Sequence, residues 1–253
     1  MFRMRELGES CKVAIVAALE REVRPLLKSK DWRGHPVERE HGVHKFRFYE
    51  DGQDTVLVCG GIGAAPARRA AEAVIALYSP TVIYSVGFAG ALEPGVKVGD
   101  VFQPAQVIDA TDGSRVNSNE GKGTLVSFAS VATPEQKARL RNAFSAQLVD
   151  MEAAAVARAA EARGIEFLAV KSISDEFDFT FPDMERFVDS EGRFLQGRFA
   201  AFALLRPWLW WKISQLLRNS HAASDRLCDW LIMSLNRMIA CAPAPAPGAA
   251  HLR

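Results

Sequence analysis

The chain has 253 residues, 49% of them hydrophobic, enough to bury a substantial core within one large domain. Lys and Arg total 31 against 30 Asp and Glu, and a formal net charge of +1 gives no electrostatic case for nucleic acid as a partner. The cysteines Cys11, Cys59, Cys228 and Cys241 have neither zinc spacing nor the density of a disulfide scaffold, so reduced thiols in a cytoplasmic protein are expected.

Residues 1–10, MFRMRELGES, are polar and lack a long apolar segment, so they read as a flexible leader rather than a secretory signal. KVAIVAAL then reads as a buried strand ending at Leu19, followed by the short helix EREVRPLL. Strands are expected in KFRFYE and DTVLVCG. His35, His41 and His44 lie close together, but no Cys or His cluster completes a metal site, and none is expected.

GGIG at Gly60–Gly63 allows either a tight turn or close approach of backbone to a ligand. It matches neither the dinucleotide fingerprint nor the phosphate-binding P-loop. ARRAAEAVIALY suits a helix packed closely on a sheet, and TVIYSVG reads as a strand ending at Gly87. After the FAGAL connection, Lys97–Ile108 carries one or two more strands, and a polar loop covers Thr111–Gly123. TPEQKARLRNAF supplies a helix start and a charged helical face.

In LVDMEAAAVARAAEARG, Asp150 and Glu152 stand where an apolar run becomes an alanine-rich helix. Taken alone, Asp150 caps that helix and Glu152 favours the positive end of its dipole. Gly164 offers a stop, and EFLAVKSIS supplies another strand. The exchange of strand and helix predicts an α/β fold with a mixed, largely parallel central sheet covered on both faces as three layers. Glu22, Glu152 and Asp175 would then project into one crevice at the strand ends.

The segments VAIVAALEREV, CGGIG, SVGFAGALEPGVKVGDV, VDMEAAAVA and VKSISD occur in this order across Val13–Asp178. In these the chain resembles the nucleoside phosphorylase superfamily, particularly its methylthioadenosine/S-adenosylhomocysteine nucleosidase branch. The resemblance implies a purine nucleosidase that cleaves an N-glycosidic bond, with Glu22 positioning or activating water and Asp175 protonating purine N7. It also implies ribose contacts from Met151 and Glu152, with Ser174 orienting Asp175 and with Gly87, Phe88, Ala89 and Val131 around the substrate. Asp150 is left a structural role. No cofactor is implied, and a homo-oligomer is.

Three features depart from that branch. FAG at Phe88–Gly90 replaces SAG and removes a hydroxyl, Lys171 stands where an arginine is common, and SFASVATPEQ differs from the usual purine-side loop. Phosphorolysis is the rival reaction, with inorganic phosphate as co-substrate held by Arg68, Arg69 and Lys171. A non-catalytic nucleoside-binding scaffold is the other alternative.

The C-terminal part sets a different pattern. On the sequence, the catalytic domain spans 11–220, an amphipathic helical extension 221–240 and a flexible tail 241–253, with Leu227, Trp230, Leu231, Ser234, Leu235 and Met238 on one helical face. Arg193, Arg198, Arg206, Lys212, Arg218, Arg226 and Arg237 outnumber Asp225 and Asp229 there, beside Trp208, Trp210 and Trp211. This balance suits an anionic membrane surface at the inner face of the membrane, or a buried contact between subunits. The region also makes a second resemblance relevant, to phosphorylase-like proteins associated with hopanoid synthesis, which would imply adenosylhopane as an alternative substrate.

Overall fold

The computed structural model describes residues 13–51, 55–118, 120–180 and 210–241, together with 187, 189, 191–195, 197–199 and 202. The expected leader, residues 242–253 of the expected tail, Arg206 and Trp208 lie outside the described residues, as does the side chain of Met238.

The fold grows from β1 (Val13–Ala17), which is buried along its whole length. Its even residues, Ala14 and Val16, join the cluster that includes Ala67, Ala71, Ala154 and Val156, while Val13, Ile15 and Ala17 join Val23, Leu26, Leu227 and Leu231. A strand apolar on both faces must be covered on both faces, and that requirement dictates layers of helix on either side of the sheet. β1 pairs in parallel with β4 (Thr55–Cys59) and β5 (Val82–Ala91), and β5 pairs in parallel with β11 (Glu166–Asp175).

Beyond this parallel centre the sheet becomes mixed. The hairpin of β2 (His35–His41) and β3 (His44–Glu50) adds antiparallel strands next to β4. On the other side, β10 (Leu148–Asp150) runs antiparallel to β5, followed outward by β9 (Thr124–Ser127), β7 (Gln106–Asp109) and β8 (Arg115–Asn117). The short β6 (Val101–Phe102) pairs with β11. Among the described residues the sheet has 11 strands, and the three-layer α/β expectation is met.

Several elements differ from the sequence reading. β5 does not stop at Gly87 but continues through FAGA, because Lys171, Ser172 and Ile173 of β11 pair with Gly87, Phe88 and Ala89. The polar Thr111–Gly123 segment contains β8, whose single buried residue, Val116, is enough to anchor a three-residue edge strand.

On one face lie α2 (Ala64–Tyr78) and α4 (Ala153–Glu161), whose buried alanines let them approach the sheet and each other closely. α1 (Glu20–Lys28) and α5 (Trp210–Cys241) cover the other face. α3 (Pro134–Phe144) starts with a capping box between Thr133 and Gln136.

The boundary expected at 220–221 falls inside α5, which is one helix of 32 residues. Leu227, Cys228 and Leu231 are buried in the core, with Trp230 and Leu235 against it, so the helical face expected from sequence is a wall of the catalytic domain rather than an appendage. Ser224 Oγ further ties α5 to α1 by donating to the carbonyls of Arg21 and Glu22, at 3.0 and 3.1 Å.

Candidate active site

A cavity of about 390 Å³ opens at the ends of β1, β5, β10 and β11. Glu22, Phe88, Ala89, Val131, Met151, Glu152, Ser174 and Asp175 all line it, so segments far apart in sequence converge there. Gly87 sits beneath Glu22 rather than in the wall.

Glu22 reaches the cavity because α1 begins directly after β1. Its Oε2 accepts from the backbone N–H groups of Ala18 and Leu19, at 3.1 and 3.2 Å, which fixes the carboxylate over the strand end. The close approach needs a glycine beneath it: a Cβ at residue 87 would lie 3.0 Å from that oxygen. Burial raises the Glu22 pKa, opposed by the Leu19 N–H and by the charge of Lys171.

Asp150 and Glu152 divide the labour at the start of α4. Asp150 turns inward, accepting from Ser127 Oγ at 2.6 Å and from the Ala153 N–H at 2.9 Å, and pairs with Lys171 Nζ at 2.9 Å. It thereby satisfies a free N–H of the helix start and neutralises a buried lysine. Glu152 turns toward the cavity, accepting from the Gly63 N–H at 2.8 Å and from the Met151 N–H at 3.2 Å. The GGIG turn therefore serves the site through a backbone donor.

Burial, reinforced by the negative charge of Asp150, pushes Glu152 up to about 8. Lys171 is pulled down by burial but lifted more by Asp150 and Glu152, and the net direction is up. One buried lysine thus stands among the three carboxyl groups of Glu22, Asp150 and Glu152.

At the other side of the cavity, Ser174 Oγ donates to Asp175 Oδ1 at 2.8 Å. Lys137 Nζ donates to Asp175 Oδ2 at 2.5 Å and to the Glu176 carbonyl at 2.7 Å. Lys137 also lines the cavity and was missed in the sequence, where TPEQKARLRNAF reads as a charged face. Its only sequence signal is the spacing of Lys137, Leu140 and Phe144, which share the inner side of α3. Gly90 makes room for this pair, since a Cβ there would lie 2.7 Å from Asp175 Oδ2 and 3.2 Å from Lys137 Cε.

The expected phosphate set does not converge. Lys171 lies behind the wall, held by Asp150 and by Ser85 Oγ at 3.2 Å. Arg68 is exposed and sits 3.7 Å from Glu72 one turn along α2, while Arg69 pairs with Glu191 at 3.2 Å in an adjoining groove and does not line the cavity. Among the described residues, the basic side chains lining the cavity itself are Arg21, whose guanidinium lies 5.6 Å from the Phe194 ring centre, and Lys137. His35, His41 and His44 fall on the β2–β3 hairpin, and among the described residues no three His, Cys, Asp or Glu side chains form a metal-binding group.

A family model described as the phosphorylase superfamily matches residues 12–132 and 123–202. The chain is 28% identical over 204 residues to a 5′-methylthioadenosine/S-adenosylhomocysteine nucleosidase of Halalkalibacterium halodurans, covering 65% of this chain and 85% of that protein. It is 24% identical over 208 residues to an aminodeoxyfutalosine nucleosidase of Campylobacter jejuni, covering 66% and 90% respectively. Among solved structures, a futalosine hydrolase of Helicobacter pylori superposes with a TM-score of 0.67 at 17% identity, over 90% of this chain and 98% of that one, a likeness of fold.

Proposed function

The chain belongs to the phosphorylase superfamily, and we propose that it is a purine nucleosidase hydrolysing the N-glycosidic bond of an adenosine-type nucleoside such as methylthioadenosine or S-adenosylhomocysteine. The observation that carries this reading is the placing of Glu22 and Asp175 along one strand. Gly87 lies against Glu22 and Gly90 against Asp175, and these glycines are three residues apart, about 10 Å of strand. A sugar bound between the two carboxyl groups would present C1′ to a water on the Glu22 side and its base to Asp175.

Breaking the bond leaves positive character on the sugar and negative character on the base. Glu22, whose pKa is raised by burial, accepts the proton of the attacking water. Glu152 receives the sugar hydroxyls, with Met151 against the ring, and their arrival replaces the proton that burial favours on Glu152. Asp175, steadied by Ser174, faces N7 of the purine. Names borne by the relatives, methylthioadenosine/S-adenosylhomocysteine nucleosidase and aminodeoxyfutalosine nucleosidase, support hydrolysis of a purine nucleoside with a variable 5′ substituent.

Phosphorolysis is the second reading, favoured by Arg21 at the cavity wall. A substrate with an apolar 5′ group, reached at a membrane surface, is favoured by α5, which exposes Trp210 and Trp211 while Leu216 and Ser220 of the same helix line the cavity. Among the described residues no helix is long and apolar enough to cross a membrane, so that contact would be peripheral. Release of free purine in phosphate-free buffer, lost in Glu22→Gln and Asp175→Asn, tests the main reading. A binding scaffold would hold the nucleoside intact.

A further inference from the structure

Lys137 is a cation in a place where a purine nucleosidase needs a proton. It is 1% exposed, on α3, and its ammonium is spent on two acceptors: Asp175 Oδ2 at 2.5 Å and the Glu176 carbonyl at 2.7 Å. An ammonium has three donors, so one remains for the cavity that Lys137 lines. Asp175 Oδ1 meanwhile accepts from Ser174 Oγ. Among the described residues, Asp175 thus stands between two donors, the Ser174 hydroxyl on Oδ1 and the Lys137 ammonium on Oδ2.

Burying a lysine costs several kcal/mol unless it is paired. A site that merely needed to orient Asp175 is already served by the serine. Gly90 adds a second constraint, because any side chain there would drive into Asp175 Oδ2 and press on Lys137 Cε. Strand, helix and loop are thus arranged around the contact between these two charged groups at the cavity wall.

Resting on the nucleosidase reading, we infer that Lys137 supplies the proton taken by the departing purine, with Asp175 as the carboxylate that relays it. As the C1′–N9 bond breaks, its electron pair moves into the imidazole ring of the base, the Lys137 ammonium passes a proton along its hydrogen bond to the Asp175 carboxylate, and the Asp175 carboxyl gives up a proton to N7 and returns to carboxylate. The water oxygen bonds to C1′ and its proton goes to Glu22. Lys137 is left as a neutral amine on the Glu176 carbonyl and regains a proton from solvent on product release, while Glu22 returns its proton to solvent.

The test uses the full chain with Lys137→Met and Lys137→Arg, against methylthioadenosine and against p-nitrophenyl β-D-riboside, whose leaving group departs without a proton. Arginine keeps the ion pair but does not give up its proton. Both variants are expected to lower kcat on the nucleoside by about 10²–10³-fold, within the range for loss of a general acid. Cleavage of the riboside should change less than about threefold, and Lys137→Arg should melt close to the wild type.

Loss in parallel on both substrates, or near-normal nucleoside cleavage by Lys137→Arg, would overturn the inference and leave Lys137 structural. Should the wild type cleave the nucleoside but not the riboside, the arginine variant decides alone. A wild type that cleaves no nucleoside removes the nucleosidase reading itself, and this inference with it.

Discussion

Glu22 and Gly87 meet at a tight contact: a Cβ on residue 87 would stand 3.0 Å from Glu22 Oε2, and Gly87 itself has φ +147. The glycine therefore fixes where the carboxylate lies. Replacing it with alanine shifts the carboxylate by a few tenths of an ångström and should lower kcat, by less than the roughly 10²-fold that a full ångström of misplacement costs. Backbone strain should add about 1–3 kcal/mol of destabilisation. Steady-state kinetics and denaturant unfolding of the same variant check both effects.

Lys171 is predicted to be a stability residue. Its side chain is 1% exposed and that of Asp150 is 0%, so Lys171→Met strands a buried carboxylate close to Glu152 and Glu22. Breaking a buried pair from one side costs about 3–5 kcal/mol. Urea unfolding should show that loss, with partial recovery in the Lys171→Met, Asp150→Asn double variant.

Glu152 makes the unliganded protein sensitive to alkali. Its folded pKa of about 8 lies above its ordinary 4.5, so its contribution to stability is complete below about 4.5 and is lost as pH rises through about 8. Glu152→Gln has no proton to lose, and its melting temperature should fall less than that of the wild type between these limits. Parallel curves for the two proteins would contradict this assignment.

Leu227 measures whether α5 belongs to the core. It is fully buried beside Leu231 and Val23, and Leu227→Ala should cost about 2–5 kcal/mol in equilibrium unfolding. A detachable extension would tolerate the change within about 0.5 kcal/mol.

Much of this arrangement is legible in the chain itself. β1 and β4 announce themselves as apolar runs and β11 by its apolar first half, FLAV, and the alternation of strand and helix leads to the layered fold. Glu22, Glu152 and Asp175 each stand within a few residues of a strand end, which is why three distant acids can be assigned to one crevice. Asp150 and Glu152 separate into inward and cavity-facing groups as the capping argument anticipates for Asp150.

What stays hidden is what depends on pairing partners. Lys137 reads as a solvated charge because periodicity does not reveal that Asp175 waits beneath α3. Lys171 reads as a phosphate ligand until Asp150, from another strand, is seen to claim it. On the sequence β5 stops at Gly87 because glycine disfavours strand, yet the ladder with β11 carries it through Gly90. The boundary drawn at 220 fails for a similar reason, since α5 buries one stripe along a face that only the assembled sheet provides.

The most direct measurement is product analysis of methylthioadenosine incubated with the protein in phosphate-free buffer, and again with inorganic phosphate. Free adenine and free methylthioribose, formed equally in both, are the predicted result, as the phosphate set expected from Arg68, Arg69 and Lys171 does not gather at the cavity. Adenine released only with phosphate, accompanied by a sugar 1-phosphate, would contradict the hydrolytic account.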